Sequence, residues 1–219
     1  KKVIIITAML AMLIGISGTL IYKKTRPIEI VVTGSIGQLS EQQLILNSDI
    51  IVDGKVKEIK ESKWTNPGMK IEGKRNVLQT DIVVTISELL SGEYNNRDVV
   101  VRIDKGYDKK ERVKYISDGY PDFEVGEHVL LFLSRDDGDL VTDEDYFVLT
   151  GMFQGKWNVE DNGVIANKRE YVKHLTPKRN KDVLKTQIKT EKENNPDWKE
   201  KREAEKEIIR KRNIELFGE

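Results

Sequence analysis

Gly126-Glu127-His128-Val129-Leu130-Leu131-Phe132-Leu133 decides the fold. In a strand successive side chains point to opposite faces, so a run that is apolar at every position has no face for water. Such a run is a central strand, and its neighbours must be strands or covering layers. Upstream, Ile50, Val52, Gly54 and Val56 fall on one face while Asp53, Lys55 and Lys57 fall on the other. Ile82, Val84 and Ile86 alternate with Val83, Thr85 and Ser87 in a second strand. A polar stretch over 61–76, with Asn66-Pro67-Gly68 inside it, separates the two. Val99, Val101 and Ile103 form a third strand after the turn begun by Ser91-Gly92-Glu93. Downstream, Tyr146 to Thr150 and Lys156-Trp157-Asn158-Val159 read as strands, and Asp161-Asn162-Gly163 is a hairpin turn into Val164-Ile165.

Six or seven short strands without intervening helices form an antiparallel sheet that has to close or be covered. The expected fold is therefore mainly β, a small antiparallel OB-like barrel over residues 28–167, with a β-sandwich as the alternative. Residues 28–33 make a short strand or extended linker, and Gly34-Ser35-Ile36-Gly37 a loop. Ser40-Glu41-Gln42-Gln43 is a capping-box pattern that opens a short helix carrying Leu44, Ile45 and Leu46.

The flanks differ from this core. Val3 to Tyr22 is a run of 20 uncharged residues between Lys1-Lys2 and Lys23-Lys24 with Arg26. As a helix it rises about 30 Å, the thickness of a bilayer's hydrocarbon core. The segment 1–27 is expected to be an N-terminal transmembrane signal anchor, with a cleaved signal peptide and a secreted chain as the alternative. From residue 168 the chain becomes a charged helical extension. It has a short helix over 169–175, a polar stretch over 178–195, and a long helix started by Asn195-Pro196-Asp197. That extension is expected to be a solvated arm outside the core.

The formal charge of zero is unevenly spread. Residues 1–43 hold 5 Lys/Arg and 2 Asp/Glu, residues 44–167 hold 16 and 24, and residues 168–219 hold 16 and 11, giving +3, −8 and +5. An acidic middle is a poor match for nucleic acid, which is not expected as a partner. The sequence contains no cysteine, which excludes disulfide staples, thiolate catalysis and thiolate metal sites within it.

Candidate chemistry is sparse. His128 and His174 are the only histidines, and neither has a second histidine at ligand spacing. No cofactor is expected. Asp136, Asp137, Asp139, Asp143, Glu144 and Asp145 crowd a hairpin tip and could offer oxygen ligands to Ca²⁺, although their spacing does not match an EF-hand loop. A solvated loop is the preferred reading of that run. Tyr107, Tyr115, Tyr120 and Phe123 cluster in a long loop over 105–125, as contacts for a ligand or partner or as lids over the barrel mouth.

Several stretches also resemble a recurrent extracytoplasmic β-domain of bacteria. They are Ser48-Asp49-Ile50-Ile51-Val52-Asp53-Gly54, Thr85-Ile86-Ser87-Glu88-Leu89-Leu90-Ser91-Gly92, Phe123 to Leu133, and Gly151-Met152-Phe153-Gln154-Gly155-Lys156-Trp157. Their order is similar to the OB barrels of the netrin and metalloproteinase-inhibitor type, without the cysteines of those domains. The resemblance implies a signal or anchor followed by an exterior domain, and brings no catalytic residue with it. The expected function is a membrane-anchored extracytoplasmic binding module at the bacterial cell surface, whose partner is a protein or a cell-envelope polymer. Two alternatives stand beside it. One is a hydrolase using carboxylates alone, such as Asp118 and Asp122 with the 136–145 run. The other is a structural or regulatory subunit of a membrane complex.

Overall fold

The computed structural model describes residues 26–34, 36–65, 76–135, 145–167 and 179–217, leaving aside the side chains of 209, 210, 213, 214, 216 and 217. The strands are β1 (Ile28–Val32), β2 (Ile50–Ile59), β3 (Lys63–Trp64), β4 (Leu78–Ser91), β5 (Asp98–Ile103) and β6 (Gly106–Asp108). They continue as β7 (Val113–Ser117), β8 (His128–Ser134), β9 (Val148–Leu149), β10 (Lys156–Val159), β11 (Val164–Ala166) and β12 (Arg179–Asn180). Three helices accompany them, α1 (Glu41–Leu46), α2 (Lys181–Asn194) and α3 (Trp198–Phe217). The fold is mainly β.

β8 is central. Along one edge it pairs antiparallel with β2, from Ile50 opposite Leu133 to Lys55 opposite His128. Its other edge is divided, with 129–131 pairing to β10 and 133–134 to β9. Val129, Leu131 and Leu133 face a core with Ile50, Val52, Val56, Ile82, Val84, Val99, Val101 and Phe147. Leu130 and Phe132 face a second core with Ile45, Ile51, Trp157, Ile165, Leu184 and Ile188. Burying both faces is what the unbroken apolar run demands. β2 bends against the 14-residue β4 through register shifts, one of them between Asp53 and Gly54. A Cβ on Gly54 would stand 2.5 Å from the Thr85 carbonyl oxygen, so only glycine permits this approach.

The described strands do not form a closed barrel. β5 reaches the β9 segment through one parallel bridge, Val101 to Phe147. There the Arg102 N–H donates to the Phe147 carbonyl at 2.8 Å and the Phe147 N–H to the Val100 carbonyl at 2.9 Å. β9 is only two residues long, and β10 occupies the rest of the β8 edge, so no ladder is left to complete the circuit. The sheet instead runs outward through β10, β11 and β12. The 105–125 stretch, expected to be a loop, contains β6 and β7, which join β1 in a separate three-stranded sheet.

Local signals read from the sequence recur in the structure. The Ser40 hydroxyl accepts from the Gln43 N–H while the Gln43 side chain accepts from the Ser40 N–H, the reciprocal capping of α1. Asn162-Gly163 turns β10 into β11, with Gly163 at φ +77°. The expected anchor Val3–Tyr22, the short helix over 169–175 and His174 lie outside the described residues. Among the described helices, none is long and apolar enough to cross a membrane.

The extension departs most from expectation. Its polar stretch forms α2, capped by the Asn180 side chain, which accepts from the Asp182 N–H. Leu184 and Ile188, one turn apart, are 0% and 3% exposed in the second core. α2 is therefore part of the folded body, because two apolar side chains on one stripe are enough to dock it over Leu130 and Phe132. α3 begins after Asn195-Pro196-Asp197 and is tied down near its middle by Lys206, which is buried and lies 3.0 Å from Asp49. Between the two helices Lys192 sits over the Trp198 ring at 4.0 Å. Burial, aided by the nearby Lys199 charge, pushes the Lys192 ammonium down to about 8.

Two truncations measure the second core. Trp157→Ala removes a fully buried indole packed on Phe132, and should cost about 3–5 kcal/mol in urea unfolding. Leu184→Ala should cost about 2–5 kcal/mol in the same assay. A loss below about 0.5 kcal/mol for Leu184→Ala, the range of exposed positions, would return α2 to the status of a solvated arm.

Candidate functional site

The strand alternation that buries Trp157 turns Lys156 and Asn158 to the opposite face of β10. There the segment 118–127, which joins β7 to β8, crosses in front of them. The result is a cleft of about 280 Å³ with Pro121, Asp122 and Glu124 at its rim and Lys156, Asn158 and Asn167 deeper in. Phe153 and Glu127 complete the walls. It is slightly smaller than an ordinary small-molecule pocket, which starts at about 300 Å³, and fits a side chain or a single ring.

Lys156 organises the cleft. It is 7% exposed, and its ammonium donates to the Asp122 carbonyl at 2.5 Å and to Glu127 Oε2 at 2.7 Å. The same nitrogen lies 4.4 Å from the centre of the Phe123 ring. Glu127 Oε1 accepts from the Asn158 side-chain amide, so both carboxylate oxygens are engaged. Asn167 donates to the Phe153 carbonyl at 3.0 Å, holding the far wall. A cation buried this deeply is tolerated because a carboxylate, a carbonyl and an aromatic face surround it. Asp122 points outward with its side chain 87% exposed and pairs with Lys105 at 2.5 Å.

A second polar centre lies on the other face of the sheet. Asp53 is 1% exposed in β2, and its two oxygens bond His128 Nε2 and the Lys181 ammonium at the start of α2. The bond to Asp53, opposed by burial, raises the Lys181 ammonium above its ordinary range. Lys181 also reaches Glu88 at 3.3 Å, and Lys185 reaches it at 2.6 Å. The Lys185 bond is the main reason that the Glu88 carboxyl lies below its ordinary range. This centre fastens α2 to β2 and β4 and accounts for His128 as a packing and bonding residue.

The aromatic side chains singled out in the sequence are dispersed. Phe123 is buried beneath Lys156, and Tyr120 packs against the first core. Tyr115 is buried with Val77, Leu78 and Trp64, edge-on to the indole at 6.4 Å between centroids. Tyr107 alone of the four is exposed, on the small sheet. Asp118 is exposed. Of the acidic run, Asp136, Asp137, Asp139, Asp143 and Glu144 lie outside the described residues, and Asp145 pairs with Arg135 at 2.6 Å. No group of three side chains able to hold a metal ion assembles among the described residues.

No protein-family model matches the chain, and no curated protein is detectably similar to it. The chemistry of the cleft therefore carries the functional reading. Sequence reasoning passed over its deeper residues. Their signal was the alternation of Lys156 and Asn158 with Trp157 and Val159, two polar side chains on one face of a strand whose other face is core.

The pairing inside the cleft is separable by mutation. Glu127→Gln strands the Lys156 charge and should cost about 3 kcal/mol in chemical unfolding, whereas Glu127→Gln with Lys156→Met should fall within about 1 kcal/mol of the native chain. Strictly additive losses would mean that the two groups do not act as a pair.

Proposed function

We propose that the chain is a membrane-anchored interaction module on the outside of a bacterial cell, and that the 121–127 cleft receives a cationic side chain or amino group of its partner. The partner is a protein or an envelope polymer that presents such groups. The observation that carries this reading is the division of charge in the cleft. The buried Lys156 is already matched by Glu127, while the exposed Glu124 stands on the rim beside the Asp122–Lys105 pair. An exposed carboxylate over a neutralised floor attracts cations and orients them, which gives specificity and association rate.

The path of the strands supports an OB-like ancestry. β2, β4 and β5 form a meander, β8 returns to β2, and Phe147 returns parallel to β5. That is the strand order of a five-stranded OB barrel with its last seam reduced to one bridge. Asp118 and Asp122, the carboxylates suggested for hydrolysis, are both exposed, and Asp122 is paired with Lys105. Neither has the contrasting environment that separates an acid from a base.

The test uses the full chain in its native membrane. Protease added to intact protoplasts should remove the bulk of the chain, and complete protection would reverse the topology. A photo-reactive amino acid replacing Glu124 should yield a discrete adduct that the same probe at Asn162 does not. Charge reversal by Asp122→Lys should abolish that adduct. Equal labelling from both positions, or an adduct indifferent to Asp122→Lys, would refute the cleft as the docking site.

A further inference from the structure

The three-stranded sheet places apolar, aromatic and basic side chains together beside the point where the chain arrives from its apolar run. β1 pairs parallel with β7, Ile28 opposite Val113 through Val32 opposite Ser117, and β6 lies on the far side of β7 with Tyr107 opposite Lys114. Paired residues share a face, so Glu29, Val31, Lys114, Ile116 and Tyr107 point to one side. The other side holds Tyr115, buried against Trp64. On the first side Val31 is 60% exposed and Tyr107 40%. β1 has no second strand partner among the described residues, and an exposed apolar edge of this kind is a liability unless something covers it.

The turn between β6 and β7 supplies the charge. Lys109, Lys110 and Arg112 surround a single Glu111, and Lys114 follows in β7. Asp108 shapes this turn, accepting from the Lys110 N–H at 2.9 Å, the Glu111 N–H at 3.0 Å and the Trp64 indole at 2.8 Å. Arg112 takes a left-handed backbone at φ +55°, and its carbonyl accepts from the Ile28 N–H at 2.8 Å. The basic turn is thus fastened to the start of β1. Five residues lie between Tyr22 and Ile28, a reach of at most about 20 Å.

We infer that this sheet is a membrane seat, with Val31, Tyr107, Lys109, Lys110 and Lys114 resting on an anionic bilayer surface next to the exit of the anchor. The inference rests on the anchor reading proposed above. A tyrosine and a valine suit the interfacial zone, and cations beside them meet the phosphates of the headgroups. Each cation near an anionic surface shifts the seated population by about fivefold. Seating also fixes the orientation of the domain, so that the cleft faces a constant direction above the membrane.

The absence of cysteine allows a single label to be placed at will. The full chain carrying Val31→Cys with an environment-sensitive fluorophore is reconstituted in phosphatidylcholine vesicles with and without phosphatidylglycerol, each containing nitroxide-labelled lipid. Asn162→Cys, in the β10–β11 turn of the other sheet, is the reference position. The seat requires stronger quenching at Val31 than at Asn162 in the anionic vesicles. It also requires that quenching at Val31 weaken in high salt, and that the seated-to-free ratio fall about fivefold with Lys110→Gln. Quenching at Val31 that matches Asn162, or that ignores both phosphatidylglycerol and Lys110→Gln, overturns the seat. Alkaline carbonate extraction separates the two readings. A chain released from the vesicles overturns the anchor and the seat together, and a retained chain with an unquenched Val31 label overturns the seat alone.

Discussion

Residues 129–133 are apolar at every position and fully buried, so a single strand has to be covered by two different layers. The arrangement follows from that requirement. On one side the meander of β2, β4 and β5 curls over Val129, Leu131 and Leu133. On the other, α1, Trp157 of β10 and Ile165 of β11 cover Leu130 and Phe132, and α2 completes the layer with Leu184 and Ile188. The split edge of β8 has the same origin. β9 continues the first layer and β10 opens the second, and β5 meets the β9 segment through one bridge at Phe147.

Electrostatics then orients what the hydrophobic layers hold. The extension carries a surplus of cations and the central region a surplus of acids, and the pairs between them are specific. Arg179 meets Glu41, Lys181 meets Asp53 and Glu88, Lys185 meets Glu88, and Lys206 meets Asp49. Pairs between exposed groups contribute little, about 0–1 kcal/mol each, and are screened by salt. Asp53 is different, because its carboxylate is buried and depends on His128 and Lys181 for partners. The start of α2 is therefore held by a desolvated charge as well as by packing, and α3 by the buried Lys206 ammonium on the less buried Asp49.

Much of this was legible in the residue pattern, and the exceptions have physical causes. The alternation in β2, β4 and β5 and the two-faced run of β8 assign those strands, since burial imposes a period that the sequence must carry. The capping box at Ser40 and the Asn162-Gly163 turn are local chemistry and need no tertiary information. Leu184 and Ile188 were hidden among lysines and threonines, because a two-residue stripe is too thin to stand out before its receiving surface is known. β6 and β7 read as loop in the sequence because they are short and broken by Lys109-Lys110. Tyr115 therefore reads as a contact or lid residue in the sequence, whereas it packs against Trp64. The cleft was invisible for a related reason. Lys156 and Glu127 are far apart in sequence, and only the β8–β10 pairing brings them to 2.7 Å.

The functional reading depends on the body being one cooperative unit, since a cleft floored by β10 keeps its shape only while the second layer holds β10 in place. Hydrogen exchange of the native full chain tests that unity most directly. The account predicts that the amides of residues 129–133 and of 184–188 exchange with the same free energy and the same denaturant dependence, both through global unfolding. If α2 exchanges through local opening, orders of magnitude faster than β8 and without that denaturant dependence, the two-layer account is contradicted.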